Sequence, residues 1–216
     1  MKKANGILIF LLSIMLCMTL AMCQSAYADP ISAGDIITLS DGPGTTNGGE
    51  FRVYHNGGYQ FNTFCLERNE YFSFGQNLTV VGISDKAIQG GVGPDGDPIR
   101  PMTAYLFTQF SSGTYSLYDY GAGRDASANA MQLAIWFIEG EWIQPLTDLA
   151  LAFYDDAFRA DWKNIGNVRV LNLVNASGGL AQDQLVMVPE PSTLLLLGAG
   201  LLGLGILGRK KFRTKP

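Results

Sequence analysis

Cys65 and Gln132 are the two side chains of this sequence whose types and settings could combine in one reaction. Gln132 lies in the apolar run Ala130-Met131-Gln132-Leu133-Ala134-Ile135-Trp136. Trp136 follows it by four residues, so at helical spacing carboxamide and indole share a face. A primary amide beneath an indole is costly to bury unless it is hydrogen-bonded or chemically used. The chemistry open to the pair is attack of the Cys65 sulfur on the Gln132 side-chain carbonyl, expulsion of ammonia and formation of an internal thioester, an electrophile toward amines. Three conditions follow: sulfur held at attack distance, hydrogen-bond donors for the developing oxyanion, expected from backbone N–H groups, and exclusion of water. Ile135 and Trp136 are expected to supply the apolar wall. Glu67, two residues past Cys65, is expected to orient a backbone amide or an incoming amine.

Cys65 is expected to be the sole cysteine of the mature chain. A basic start (Met1-Lys2-Lys3), an apolar run over residues 7–21 and the small-x-small pattern Ala26-Tyr27-Ala28 read as a secretory signal peptide over residues 1–28. Its removal takes Cys17 and Cys23 with it; Met22 is a poor fit before a lipidated cysteine. A lone cysteine in an oxidising compartment points to a partner chain, a reactive thiol, another covalent fate, or a small buried apolar residue. Residues 29–188 hold 8 Lys and Arg against 18 Asp and Glu, the remaining basic residues lying in the two ends. So acidic a body argues against nucleic acid or an anionic membrane surface as partner.

The elements that must position the pair follow from periodicity and punctuation. Residues 36–39 and 51–54 read as strands, Asn56-Gly57-Gly58 as a hairpin turn, and residues 59–66 as an alternating strand with Cys65 at its end. Residues 78–83 form a further strand and 89–101 a loop. Within that loop Asp95-Gly96-Asp97 begins like a calcium loop, but Ile99 takes the next ligand position and no closing glutamate follows, so no metal is assigned. Residues 102–110 read as a short helix after Pro101, and 111–123 as aromatic-rich coil with Tyr115, Tyr118 and Tyr120 as core cover. A helix over 128–139, capped by Asp125 or Ser127 and ended by Gly140, carries Gln132 in its first turns. Thr147 caps another, through about Trp162, with Leu149, Ala152, Phe153 and Ala157 inward and Asp155, Asp156 and Arg159 outward. Residues 168–174 and 185–188 close the sheet. The fold class is α+β: one exported domain over residues 29–188, of β-hairpins and sheet with a small helical subdomain.

The C-terminal end has three parts. Pro189-Glu190-Pro191 precedes an uncharged apolar run over residues 192–208, which is at the short end of what spans a bilayer, and a basic tail over 209–216 that should stay cytoplasmic. This tail closely resembles the PEP-CTERM sorting signal of Gram-negative bacteria. The resemblance implies recognition by an exosortase-type membrane protease, membrane anchoring through the C-terminal helix before processing, delivery to the cell surface or extracellular matrix, and an association with exopolysaccharide and biofilm.

Phe64-Cys65-Leu66-Glu67 and Met131-Gln132-Leu133-Ala134-Ile135-Trp136 are similar to the cysteine and glutamine (TQXA) motifs of the thioester domains on Gram-positive surface adhesins, with Met131 where threonine is frequent. The resemblance implies a Cys65–Gln132 bond with Ala134 and Trp136 packed behind it, and covalent capture of an amine-bearing surface or matrix target. Such a bond is consumed once, so no turnover enzyme is expected, and no cofactor. Two other readings stand beside it. A non-covalent structural or adhesion module of the exopolysaccharide matrix needs no chemistry. A cysteine hydrolase needs a histidine, and His55, beside the hairpin turn and expected to be exposed, is the only one.

Overall fold

Apolar residues at every second position bury one side of the first strand, β1 (Ile36–Thr45): Ile37 and Leu39 are inside and Ile36 is exposed. The computed structural model describes residues 31–45, 48–88 and 97–188. β1 pairs with β2 (Gly48–His55), from Ile37 opposite His55 to Thr45 opposite Gly48, with the register shifting by one residue between Asp41 and Gly44. Asn56 and Gly57, at φ 51° and 75°, make the turn into β3 (Gly58–Thr63). Two consecutive positive φ values define the turn that matches strand twist, and asparagine and glycine adopt them at least cost. β4 (Leu78–Ser84) pairs with the far side of β1, β7 (Val168–Asn175) with β4, and β8 (Leu180–Met187) with β7. The six-stranded sheet has the order β3-β2-β1-β4-β7-β8, and every pairing is antiparallel. Part of the expected 89–101 loop is extended: β5 (Lys86–Ala87) pairs with β6 (Asp97–Pro98).

Three helices lie between β6 and β7 in the chain. α1 (Pro101–Ser111) starts on its proline, as the missing N–H allows. α2 (Arg124–Glu139) ends at Gly140, whose φ of 89° lets the chain leave the helix. α3 (Asp148–Ala160) is capped by Thr147 Oγ1, which accepts from the Ala150 N–H. Together with the sheet they enclose the main core, in which Phe107 and Phe110 of α1, Met131 and Ile135 of α2 and Phe153 of α3 meet Val168, Val170 and Leu185. The helices therefore share the core of the sheet rather than forming a subdomain, and the fold is mixed α/β on an antiparallel sheet.

Two helix boundaries differ from expectation. α2 begins a turn early because Asp125 and Ser127 have other partners: Asp125 Oδ1 accepts from the Gly44 N–H (3.0 Å) and Ser127 Oγ from the Asp119 N–H (3.0 Å). Gln132 consequently sits in the middle of the helix, not in its first turns. α3 stops at Ala160, where Asp161 turns left-handed (φ 51°), so Trp162 lies beyond it. Asp156 is half-buried rather than outward, accepting the hydroxyls of Tyr105 (2.8 Å) and Tyr115 (2.7 Å). No helix among the described residues is long and apolar enough to cross a membrane. The expected signal peptide, the apolar run 192–208, Pro189, Glu190, Pro191, Asp95 and Gly96 lie outside the described residues.

α2 is fastened to the first hairpin by a buried carboxylate. Glu50 of β2, 1% exposed, accepts from Arg124 through both oxygens (2.7 and 2.8 Å), from the Tyr118 hydroxyl (2.6 Å) and from Asn62. Beside it, Asn129 Oδ1 accepts from the Thr45 N–H at 2.8 Å. Removing the cation strands a charge in the core, which costs about 3–5 kcal/mol. Arg124→Met is accordingly expected to lower unfolding free energy by about that much in a urea titration, and Arg124→Met with Glu50→Met to recover most of it; an unchanged midpoint for the single variant would contradict the role given to this ion pair.

Candidate functional site

β3 gives out at Thr63, but the chain runs on extended beside β8. Cys65 forms an isolated antiparallel bridge with Gln184, through Leu185 N–H to Phe64 O (3.0 Å) and Leu66 N–H to Asp183 O (3.3 Å). In that arrangement the hydrogen bonds belong to the neighbours of Cys65, and its own N–H and C=O point away from β8. α2 fills the vacancy with a side chain. Gln132 Oε1 accepts from the Cys65 N–H at 3.2 Å, and Gln132 Nε2 donates to the Cys65 carbonyl at 2.8 Å. The carboxamide thus pairs with Cys65 as a neighbouring peptide group would, and this contact brings Cys65 Sγ to 3.3 Å from Oε1. Cys65 is 1% exposed and Gln132 fully buried.

Around the pair the side chains divide between two clusters. Trp136, one turn beyond Gln132, packs with Phe51 and Cys65, with Phe72, Leu133 and Trp142 against them. Ala134 and Ile135 are buried in the main core instead, because they project from other sides of α2. The wall behind Cys65 is therefore built by Trp136 and Phe51, without Ala134 or Ile135. Gly48 permits this closeness: a Cβ there would stand 2.9 Å from the Trp136 ring and 3.4 Å from Gln132 Cγ. A cavity of about 400 Å³ meets Cys65 between Phe51, Phe72, Phe74 and Trp136, and another of about 250 Å³ meets Gln132 beside Trp142. Arg68 lines both, with its guanidinium 4.8 Å from the Trp142 ring centre.

Glu67 is buried as well, and Oε2 accepts from the Asp183 N–H at 3.1 Å. Burial foremost, then the charges of Asp183 and Glu70, push its carboxyl up to about 9. Glu70 is pushed up to about 7 by burial, Asp183 and Glu141. Burial foremost raises the Cys65 thiol, and the charge of Glu67 adds to the rise. The sulfur is consequently a protonated thiol at neutral pH. Four buried atoms close to this region have no hydrogen-bond partner: Glu67 Oε1, Gln184 Oε1, Trp136 Nε1 and Trp142 Nε1.

Gln182 and Gln184 lie ahead of the last strand expected from sequence, which starts at residue 185, but belong to β8 in the fold. The signal was present in Gln182-Asp183-Gln184, three polar residues leading straight into Leu185-Val186-Met187; all three are buried. Gln182 Nε2 donates to the Glu67 carbonyl at 2.6 Å. His55 is 8% exposed rather than free in solvent, and its Nε2 lies 3.7 Å from Asp35 Oδ2. It pairs with Gly58 at the turn end of the hairpin. At about 3.3 Å per residue, the seven residues from there to Cys65 separate imidazole and thiol by roughly 20 Å. No cluster of metal-ligating side chains occurs among the described residues.

Among known proteins, residues 188–211 match the PEP-CTERM protein-sorting motif. That motif marks an exported protein, anchored in the membrane before it is processed by an exosortase. It stops short of Cys65 and Gln132, so the similarity of their segments to thioester domains rests on those residues alone. No curated protein and no solved structure matches the chain significantly.

The raised carboxyls make a pH prediction. Glu67 is neutral in the fold up to about 9, against an ordinary value of 4.5. Between those values the native state binds more protons than the unfolded chain, so stability falls as pH rises through the window. Glu70 and Glu139, each pushed up to about 7, add to its lower part. Urea unfolding from pH 7 to 9 is expected to show declining stability that Glu67→Gln makes shallower, the remainder coming from Glu70, Glu139 and the Cys65 thiol; an equal decline in the variant would contradict a buried, neutral Glu67.

Proposed function

We propose that this exported, PEP-CTERM-sorted protein carries an internal thioester between Cys65 and Gln132, with which it attaches covalently to amine-bearing nucleophiles of the cell surface or extracellular matrix. The observation that carries the reading is the buried approach of Cys65 Sγ to 3.3 Å from Gln132 Oε1, with the Cys65 N–H already on that oxygen. In bond formation the sulfur attacks Gln132 Cδ, the charge gathering on Oε1 is held by the Cys65 N–H, and the thiol proton leaves with the amide nitrogen as ammonia. Trp136 and Phe51 keep bulk water from the product. An amine then reopens the bond, giving a substituted amide on Gln132 and returning Cys65 to a thiol, so each molecule reacts once.

A second reading is supported by the same contact. Both ends of the Gln132 carboxamide are satisfied by the Cys65 backbone, as a purely structural clasp would require, which suits a non-covalent matrix or adhesion module. A cysteine hydrolase has less support, because His55 is held at the other end of the hairpin, beside Asp35.

Intact mass spectrometry and alkylation separate the readings. The thioester predicts a mass short by one ammonia, a Cys65 inert to alkylation in denaturant until methylamine is added, and restoration of the full sequence mass in Cys65→Ala. A wild-type chain of full mass, alkylated at once on unfolding, leaves only the clasp.

A further inference from the structure

We propose that Glu67 is the proton donor to the Cys65 sulfur when an amine opens the bond to Gln132; the assignment rests on the thioester reading above. Its placement comes first. Phe64 and Leu66 enter the main core while Cys65 packs with Phe51 and Trp136, and the Glu67 carboxyl lies near enough for its charge to act on the Cys65 thiol. The bridge to Gln184 holds that geometry. Glu67 is 3% exposed, with Oε2 fixed by the Asp183 N–H and its carbonyl by Gln182 Nε2. The whole residue is thereby immobilised, except that Oε1 is left buried with no partner. A buried oxygen left unpaired is costly, so a fold that keeps one two residues from Cys65 suits a partner that arrives only during reaction.

The chemistry needs such a group. Expelling sulfur as a bare thiolate at so buried a position is unfavourable, because burial makes that thiolate a strong base. A neutral carboxyl carries the missing proton, and Glu67 stays neutral up to about 9. The groups acting on it are Asp183 of β8 and Glu70 of the following loop; Glu141, beyond α2, acts on Glu70, and Arg68 lines the cavity that meets Cys65. In the step, the amine nitrogen bonds to Gln132 Cδ. As the Cδ–Sγ bond breaks, the proton on Oε1 passes to Sγ. The carboxylate so formed takes a proton from the attacking nitrogen. A secondary amide, a thiol and a neutral Glu67 result, and every proton is accounted for. Gln184 Oε1, fully buried and also unpartnered, is an acceptor for the amine N–H.

The test follows methylamine incorporation by intact mass in the full chain, for wild type, Glu67→Gln and Glu67→Asp. Glu67→Gln keeps an acceptor for the Asp183 N–H and loses the proton. Its rate constant is expected to fall about 100-fold, with partial recovery in Glu67→Asp. The wild-type rate, normalised to unprotonated methylamine, is expected to fall as pH rises through about 9, and the Glu67→Gln rate to be flat there. A purely structural role would not produce that profile. A Glu67→Gln rate within twofold of wild type, or a flat wild-type profile, overturns the assignment while the thioester stands. A wild-type chain that has lost no ammonia overturns both. If Glu67→Gln does not fold, the wild-type profile alone decides.

Discussion

The geometry of the site depends on one pairing, the Gln132 carboxamide against the backbone of Cys65. Past Thr63 the chain leaves the ladder of β2 yet keeps its extended course beside β8, so the N–H and C=O of Cys65 face the helix layer with no strand to meet them. Two unpaired buried peptide groups would cost several kcal/mol. One side chain of matching shape answers both, at 3.2 and 2.8 Å. The thiol comes within reach of the carboxamide as a consequence of backbone satisfaction. This is why one contact supports both a structural and a covalent reading.

Much of the remaining architecture holds α2 at the height this pairing needs. Glu50, Arg124 and Tyr118 tie its first turn to β2 and to the coil before it, and Asp125 and Asn129 take the amides of Gly44 and Thr45. The residues one and two turns on are then Gln132, over Cys65, and Trp136, over Gly48. Beyond Gly140 the chain folds back, with the Trp142 N–H on the Trp136 carbonyl, and sets a second indole beside the first. The carboxyls of Glu67 and Glu70 near Cys65 are raised foremost by burial and then by their acidic neighbours.

The strands and helices were legible where local chemistry fixed them. Asn56-Gly57 specified its hairpin turn, Pro101 and Gly140 bounded their helices, and the spacing of Gln132 and Trp136 placed carboxamide and indole on one face. Asp125 and Ser127 read as caps because cap propensity is local, whereas their partners, Gly44 and Asp119, are set by tertiary packing. The same limit concealed the donor that meets Gln132 Oε1. That it is the N–H of Cys65 itself follows from how the bridge to Gln184 orients one peptide group, and no residue type records that. Ala134 was placed behind the pair by resemblance, but two residues along a helix is more than half a turn, which carries it into the main core. Glu67 is legible in sequence only by its nearness to Cys65; its burial depends on the polar run of β8, which breaks the apolar pattern of that strand.

The most direct measurement is a digest of the exported protein by an acid protease under mildly acidic, non-nucleophilic conditions, with the products sequenced by mass spectrometry. The account predicts that the Cys65 and Gln132 peptides travel as one linked species, lighter by one ammonia than the two together. Recovery of the two as separate peptides of unmodified mass would contradict it.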